Sequence, residues 1–278
     1  MRFAFATCVC LGRRVIEKIY EMGGELEFLV TLNDEKARNK SGRVYLDDIA
    51  EKYDIPLIKI NNINDEMVIE AVREHRIDWM FIIGWSQIAR KELLQAPDKG
   101  CIGMHPTLLP KGRGRASIPW AIIKNLPRTG VTMFRLDEGV DTGDILGQVE
   151  IPLNKKITAT ELYSNVMNAH TALIEKYWNA LLNDQLVLIP QKESEATEWP
   201  GRHPEDGRLS HNMTVEEAER LVRAVTRPYP GAFYEEMGRK VIVWSAKVSK
   251  EDDGKYSFQC TDGYLIPTEV EIGVSNEA

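Results

Sequence analysis

Two short stretches of the chain gather the side chains that acid–base and anion chemistry use. The first reads Gly103-Met104-His105-Pro106-Thr107-Leu108-Leu109-Pro110-Lys111-Gly112-Arg113-Gly114-Arg115. An imidazole titrates near neutrality and takes a proton from an attacking amine at physiological pH. His105 stands in a backbone stiffened by Pro106 and Pro110, each of which fixes its own φ. Arg113 and Arg115 are able to hold a phosphate or a carboxylate through their forked N–H groups. The second stretch reads Leu136-Asp137-Glu138-Gly139-Val140-Asp141-Thr142-Gly143-Asp144-Ile145. Beside His105, Asp141 would orient the ring, stabilise its positive charge and help a proton reach a leaving nitrogen. Alone, a histidine is commonly a satisfied core residue and an Asp–Gly run a solvated turn. As a pair they suggest proton transfer to and from nitrogen. Trp85 and Trp120 offer flat faces for a ligand. Trp120, between Pro119 and Ala121, reads as packing, while Trp85, just past a strand end, stays open between packing and stacking.

Such a pair needs elements that bring position 105 to position 141. Apolar runs at Arg2–Thr7, Leu26–Leu32, Pro56–Ile60, Trp79–Ile83 and Cys101–Met104 read as strands. Amphipathic segments lie between them, at Arg13–Met22, Tyr45–Tyr53, Asp65–Glu74 and Ala89–Gln95. Continuous apolar strands separated by helices predict a mostly parallel sheet covered on both faces, a doubly wound α/β domain with right-handed crossovers. Ligands of such sheets collect outside the carboxyl ends of the strands, so chemistry is expected after Ile83 and after Met104. The first strand leads into Cys8-Val9-Cys10-Leu11-Gly12-Arg13-Arg14. That is no G-x-G-x-x-G, and the chain has no G-x-x-x-x-G-K-[ST] loop, so a bound dinucleotide or triphosphate is not expected.

Residues 129–151 predict two short strands joined by a turn-rich Asp137–Asp144, followed by a long helix at Ala159–Leu182. Gln191–Gly207 is polar, with Pro200, Gly201, Pro204 and Gly207, and reads as a linker. Thr214 and Glu217 form a capping box at the start of a helix over Thr214–Val225. Strand-like segments follow at Lys240–Val248, Tyr256–Cys260 and Tyr264–Val270, a small helix-plus-β, OB-like barrel or sheet. The division is therefore 1–200 and 201–278.

Composition excludes several classes. Hydrophobic residues make up 43% and charged residues 28% of the 278 residues, ordinary for a globular enzyme. No run approaches the ~18 apolar residues of a membrane span. The first residues are too short an apolar run for a signal peptide, with Arg13, Arg14 and Glu17 close behind. Cysteines at 8, 10, 101 and 260 lack a second pair or a nearby histidine for a metal site; buried, reduced thiols and a cytoplasmic address are expected. The net charge is -7, and residues 204–278 hold nine Lys and Arg against fourteen Asp and Glu. A nucleic-acid grip needs the opposite balance.

The segments HPTLLPKGRGR at 105–115 and TGVTMFRLDEGVDTGDILGQ at 129–148 resemble the folate-dependent formyltransferase family. RAVTRPYPGAF at 223–233 is similar to the start of the C-terminal domain of its tRNA and sugar branches. The resemblance implies a Rossmann-like catalytic domain, N10-formyltetrahydrofolate as formyl donor, and an Asn-His-Asp catalytic set. The family's His falls on His105 and its Asp on Asp141. Its Asn falls on Gly103, a departure at a position whose hydrogen bond to a developing oxyanion is worth ~2.7–4 kcal/mol in other enzymes. A glycine leaves room there for a water, a backbone N–H or another side chain to do that work. The resemblance further implies a pterin pocket at Trp85, Ser86, Gln87, Ile88, Leu136, Asp137 and Val140. It implies an acceptor held by Thr107, Lys111, Arg113 and Arg115. The sugar N-formyltransferase branch is the expected one, its acceptor a nucleotide-linked 4-amino-4,6-dideoxy sugar. The UDP-linked amino-altrose precursor of the pseudaminic acid route is an example. A homodimer is compatible with this reading. Three others stand beside it: a methionyl-tRNA formyltransferase, which the acidic C-terminal region disfavours, a formyltetrahydrofolate hydrolase, and a folate-binding protein that has lost catalysis.

Overall fold

The computed structural model describes residues 1–37, 42–253 and 256–274. These residues form two compact units. One comprises 1–114, 130–151 and 166–198; the other comprises 115–129, 152–165 and the chain from 199 onward.

The first unit is built on a seven-stranded sheet. Its strands are β1 (Phe3–Ala6), β2 (Phe28–Leu32), β3 (Leu57–Ile60), β4 (Trp79–Ile82), β5 (Gly100–His105), β6 (Arg128–Arg135) and β7 (Ile145–Pro152), in the order β3-β2-β1-β4-β5-β6-β7. The first five pair in parallel, with Ala4 opposite Phe28 and Met80, and Phe81 opposite Ile102. Every residue of β1, β2 and β4 is buried, as strands covered on both faces require. Phe81 packs at 5.4 Å from Phe5 and 6.0 Å from Phe3 between ring centres. Burying each such ring contributes about 1.5–3 kcal/mol.

The connections are helical: α1 (Cys10–Glu21), α2 (Asp47–Tyr53), α3 (Glu66–Glu74) and α4 (Lys91–Leu94). Asp65 caps α3 by accepting from the Met67 N–H at 3.1 Å. Two helices depart from the sequence reading. α1 begins at Cys10, so this cysteine heads a helix half-buried and does not continue the strand; Cys8, Cys101 and Cys260 are buried, and all four are free. α4 is a single turn, shorter than the segment 89–95.

β6 runs antiparallel to β5, with Ile102 opposite Arg135 and His105 opposite Thr132. This reversal carries the chain back along β5 from His105 to Ile102, and the loop after Arg135 then leads to Asp141.

The second unit holds α5 (Ser117–Ile123), α7 (Val215–Val225) and a four-stranded antiparallel sheet of β8 (Ala232–Glu236), β9 (Arg239–Ser249), β10 (Phe258–Gln259) and β11 (Tyr264–Val274), ordered β8-β9-β11-β10. The choice between barrel and sheet thus falls to the sheet. β8 was not among the sequence's strand-like segments, because the glycine and proline of Tyr229-Pro230-Gly231 mask its start. Thr214 and Glu217 close the capping box reciprocally, Thr214 Oγ1 accepting from the Glu217 N–H at 3.3 Å and Glu217 Oε2 accepting from the Thr214 N–H at 2.9 Å. The long helix α6 (Ala159–Leu182) has the bounds that its apolar spacing predicts, with Leu162, Val166, Ala169 and Leu173 buried. No helix among the described residues is long and apolar enough to cross a membrane.

Candidate active site

His105 is the last residue of β5, 8% exposed at the carboxyl end of the strand. Its Nε2 lies 2.8 Å from the Gly112 carbonyl oxygen. A carbonyl only accepts, so Nε2 carries hydrogen and the neutral ring keeps its lone pair on Nδ1. That Nδ1 faces Asp141 Oδ2 at 3.5 Å. The distance is long for a strong hydrogen bond and short enough for an ion pair once Nδ1 takes a proton.

Asp141 is held on three sides. Its Oδ2 accepts from the Gly114 N–H at 2.8 Å, and its backbone oxygen accepts from Gln191 Nε2 at 2.8 Å. Its own φ is +55°, a left-handed conformation that aspartate tolerates better than most residues. Gly143 closes the same loop against the backbone: a Cβ there would lie 1.7 Å from the Arg135 oxygen, so only glycine fits. Asp137 sits exposed at the other end of the loop and ties it together, accepting from the Gly139 N–H at 3.1 Å and the Thr142 hydroxyl at 2.6 Å.

The turn after His105 is pinned from β6 and β7. Thr132 Oγ1 donates to the Thr107 carbonyl at 2.7 Å and accepts from the Leu109 N–H at 3.0 Å, while Gln148 Nε2 reaches both Thr132 Oγ1 and the Leu109 carbonyl.

Three sequence expectations need correction. Gly103 lies on the His105 face of β5, but the space that a side chain would take is filled: a Cβ there would meet Leu136 Cδ2 at 2.7 Å and Phe134 Cε1 at 3.2 Å. The room anticipated for a water or a substitute donor is occupied by apolar groups. Arg113, expected to grip the acceptor, is 2% exposed and already bound. Its guanidinium donates to Glu193 Oε1 and Oε2, both at 2.9 Å, and to Gln191 Oε1. In turn it holds the Glu193 carboxyl below its usual pKa. Thr107, also expected at the acceptor, is enclosed at 2% exposure with a hydroxyl that lacks a hydrogen-bond partner. Lys111 and Arg115 are exposed, Arg115 in the second unit.

The expected pterin loops are both in the first unit. Trp85 is half-buried, its Nε1 donating to Gln87 Oε1 at 3.0 Å. Gln87 also accepts from the Ile63 N–H and donates to the Asn61 carbonyl, which fixes the loop after β4. Ser86 is exposed, as are Ile88 at 64% and Val140 at 55%. Trp85 and Leu136 pack against one core cluster, and Lys91 Nζ reaches Glu138 Oε1 at 4.0 Å, so the two loops share a foundation.

Sequence reasoning missed the braces. Gln191, Glu193 and Thr197 fall in the stretch read as a linker, yet Gln191 binds the carbonyls of Asp141 and Gly143 and Thr197 accepts from the Gly112 N–H. Only their polarity marked them. His170 on α6 was missed as well: it is 1% exposed and its Nδ1 donates to the Val166 carbonyl at 2.7 Å. Desolvation drives its pKa down to about 4, the Val166 bond opposing and the charge of His105 assisting. His170 therefore stays neutral near pH 7. Among the described residues no group of three or more His, Cys, Asp or Glu side chains is placed to hold a metal.

The formyl transferase family model matches residues 14–177, more than half of the chain, and the model of the formyl transferase C-terminal domain matches residues 202–274. This chain belongs to the formyl transferase family. A methionyl-tRNA formyltransferase from Lachnospira eligens is 28% identical, covering 98% of this chain and 92% of the relative. Two solved formyltransferases share the fold. The N-formyltransferase from Helicobacter canadensis, in complex with folinic acid and dTDP-3-aminofucose, aligns with a TM-score of 0.73 at 19% identity, over 98% of this chain and all of that one. The methionyl-tRNA formyltransferase from Clostridium thermocellum aligns with a TM-score of 0.63 at 21% identity, over 99% of each chain.

Proposed function

We propose that this formyltransferase moves a formyl group from N10-formyltetrahydrofolate to the amine of a nucleotide-linked amino-dideoxy sugar. The observation that carries the reading is the His105–Asp141 pair, with the Nδ1 lone pair aimed at the carboxylate 3.5 Å away. The residues present suit a folate: Ile88 and Val140 offer exposed apolar groups on the two loops, and Trp85 and Leu136 line their bases. The donor supplies an electrophilic formyl carbon and a nitrogen leaving group. His105 Nδ1 takes the proton that the acceptor amine sheds as its new N–C bond forms. The imidazolium so made is stabilised by Asp141, and the proton returns to the departing nitrogen as the old C–N bond breaks, so no net proton is consumed. Exposed Lys111 and Arg115 are the proposed partners for the acceptor's anionic groups. We take 1–200 as the catalytic part and 201–278 as an appended domain, a division supported by the gap between the two family matches.

A second reading, formylation of methionyl-tRNA, is favoured by the Lachnospira relative and opposed by the acidic C-terminal region. The deciding assay follows formyl product by mass spectrometry with UDP- and dTDP-linked 3-amino and 4-amino dideoxy sugars, charged initiator tRNA, and no acceptor. Transfer to a sugar nucleotide, lost by ~10³-fold or more in His105→Ala, is expected. Transfer to tRNA alone, or release of formate without acceptor, would replace this reading.

A further inference from the structure

As a base, His105 needs one particular tautomer, and two acceptors compete for its single ring hydrogen. The Gly112 carbonyl faces Nε2 at 2.8 Å, and Asp141 Oδ2 faces Nδ1 at 3.5 Å. At equal distance the ionised acceptor is the stronger of the two. A hydrogen moved to Nδ1 would bond to Asp141, and Nδ1 would no longer be free to take a proton. The bare Nε2 would then confront the Gly112 oxygen, lone pair against lone pair. That contact is costly only if the carbonyl cannot swing away. The hydrogen stays on Nε2, therefore, because something fixes the Gly112 carbonyl.

Gly112 does not fix it unaided. Its φ is +74°, a left-handed conformation that glycine enters freely, and without a Cβ its flanking peptides turn with little steric resistance. The restraint comes from Thr197, 85 residues further along the chain. Its N–H donates to the Pro110 carbonyl at 3.2 Å, its Oγ1 accepts from the Gly112 N–H at 2.9 Å, and its carbonyl accepts from the Arg113 N–H at 2.9 Å. The peptide units on both sides of Gly112 are thereby held. The Arg113 N–H and the Gly112 carbonyl belong to one planar peptide, so the bond to Thr197 aims that carbonyl at the imidazole. His105, this peptide and the Thr197 carbonyl form one chain of hydrogen bonds in which each polarises the next. His105, Gly112, Asp141 and Thr197 all lie in the first unit.

We infer that Thr197 is a positioning residue for the transfer reaction: it fixes the Gly112 carbonyl and so keeps the His105 lone pair on Nδ1. This rests on His105 acting as the base, as proposed above, and holds for any acceptor amine. Thr197 acts through Gly112 and the imidazole. Losing its hydroxyl leaves the buried Gly112 N–H without an acceptor, which loosens the loop at the one residue whose carbonyl selects the tautomer.

The test is nitrogen NMR of the full chain, labelled at its five histidines, at about pH 8, where an ordinary imidazole is neutral. The His105 signals are assigned by their absence in His105→Ala. In wild type, Nε2 should carry the hydrogen. Thr197→Val keeps the shape of the side chain and removes the acceptor; it should shift the tautomer ratio towards Nδ1–H by roughly fivefold or more. With it kcat should fall roughly tenfold or more, the KM for the acceptor staying within about twofold. Thr197→Ser restores the hydroxyl and should recover both. Thr197 is exposed, so melting temperatures near wild type are expected, and Thr197→Ala repeats the measurement should the valine variant not fold. Hydrogen on Nδ1 in wild type overturns the inference. So does an unchanged tautomer ratio in the variants, even with a lowered kcat, since Thr197 would then serve the stability of the loop alone. Hydrogen on Nε2 that the variants lose, in a protein that transfers formyl to no amine, keeps the action of Thr197 on the imidazole and overturns the reading of His105 as the base.

Discussion

Gly103 is where the chemistry and the packing of this protein meet most closely. The strand places it two residues before His105 on the same face, and Leu136 then lies over it. An asparagine at this position has to push Leu136 aside before it reaches any ligand. Leu136 is a flexible side chain, so the fold should survive, at an overpacking cost of about 1–3 kcal/mol. Gly103→Asn is therefore expected to lower the melting temperature and to leave turnover unchanged or reduced. Adding Leu136→Ala should restore the melting temperature in part, because it vacates the contested volume. A rise in turnover of a hundredfold or more in Gly103→Asn alone, with unchanged stability, would show that the glycine merely withholds a donor.

Among the elements, the segment 191–197 works as a strap. Gln191 bridges three groups at once: the carbonyls of Asp141 and Gly143 through Nε2, and the Arg113 guanidinium through Oε1. Removing it leaves two carbonyls and part of a buried cation without partners, a cost of about 1–3 kcal/mol. The cost should fall on the 137–144 loop, since Asp141 sits in a left-handed conformation that its neighbours enforce. Gln191→Leu is expected to lower kcat at least tenfold. It should also speed hydrogen exchange at 139–144, with α3 exchanging as in wild type. Exchange at wild-type rates in the loop would mean that Arg113 and Glu193 hold it without help.

For the molecule as a whole, the buried His170 makes stability depend on acidity. Its pKa falls from an ordinary 6.5 to about 4 on folding, chiefly through desolvation. Between these values the unfolded chain binds a proton that the folded chain refuses. Stability is accordingly full above pH 6.5 and declines as pH falls towards 4, by about 1.4 kcal/mol per unit at most. Asp48, held low by its hydrogen bond to Arg13, and Glu193, held low by Arg113, add losses only at more acid pH. Urea melts from pH 7.5 to 4.5 should show the decline, and His170→Gln should flatten it. An equal slope in the variant would place the acid sensitivity elsewhere.

The strands of the first sheet, the long helix and the capping box of α7 could be read from local pattern, because apolar runs, 3.6-residue spacing and a Thr-x-x-Glu signal act within a few residues. His105 and Asp141 could be read too, since two chemically distinctive motifs mark them and the order of strands brings them to one strand end. The inward turn of Arg113, the enclosure of Thr107, the leucine over Gly103 and the strap at Gln191 carried no such signal. Three of these four are settled by a partner far along the chain: Glu193 for Arg113, Leu136 for Gly103, Asp141 for Gln191. Whether an arginine meets a ligand or a glutamate depends on which distant segment packs beside it. That choice is made by the burial of the whole sheet and its loops together, and no local spacing of residue types encodes it.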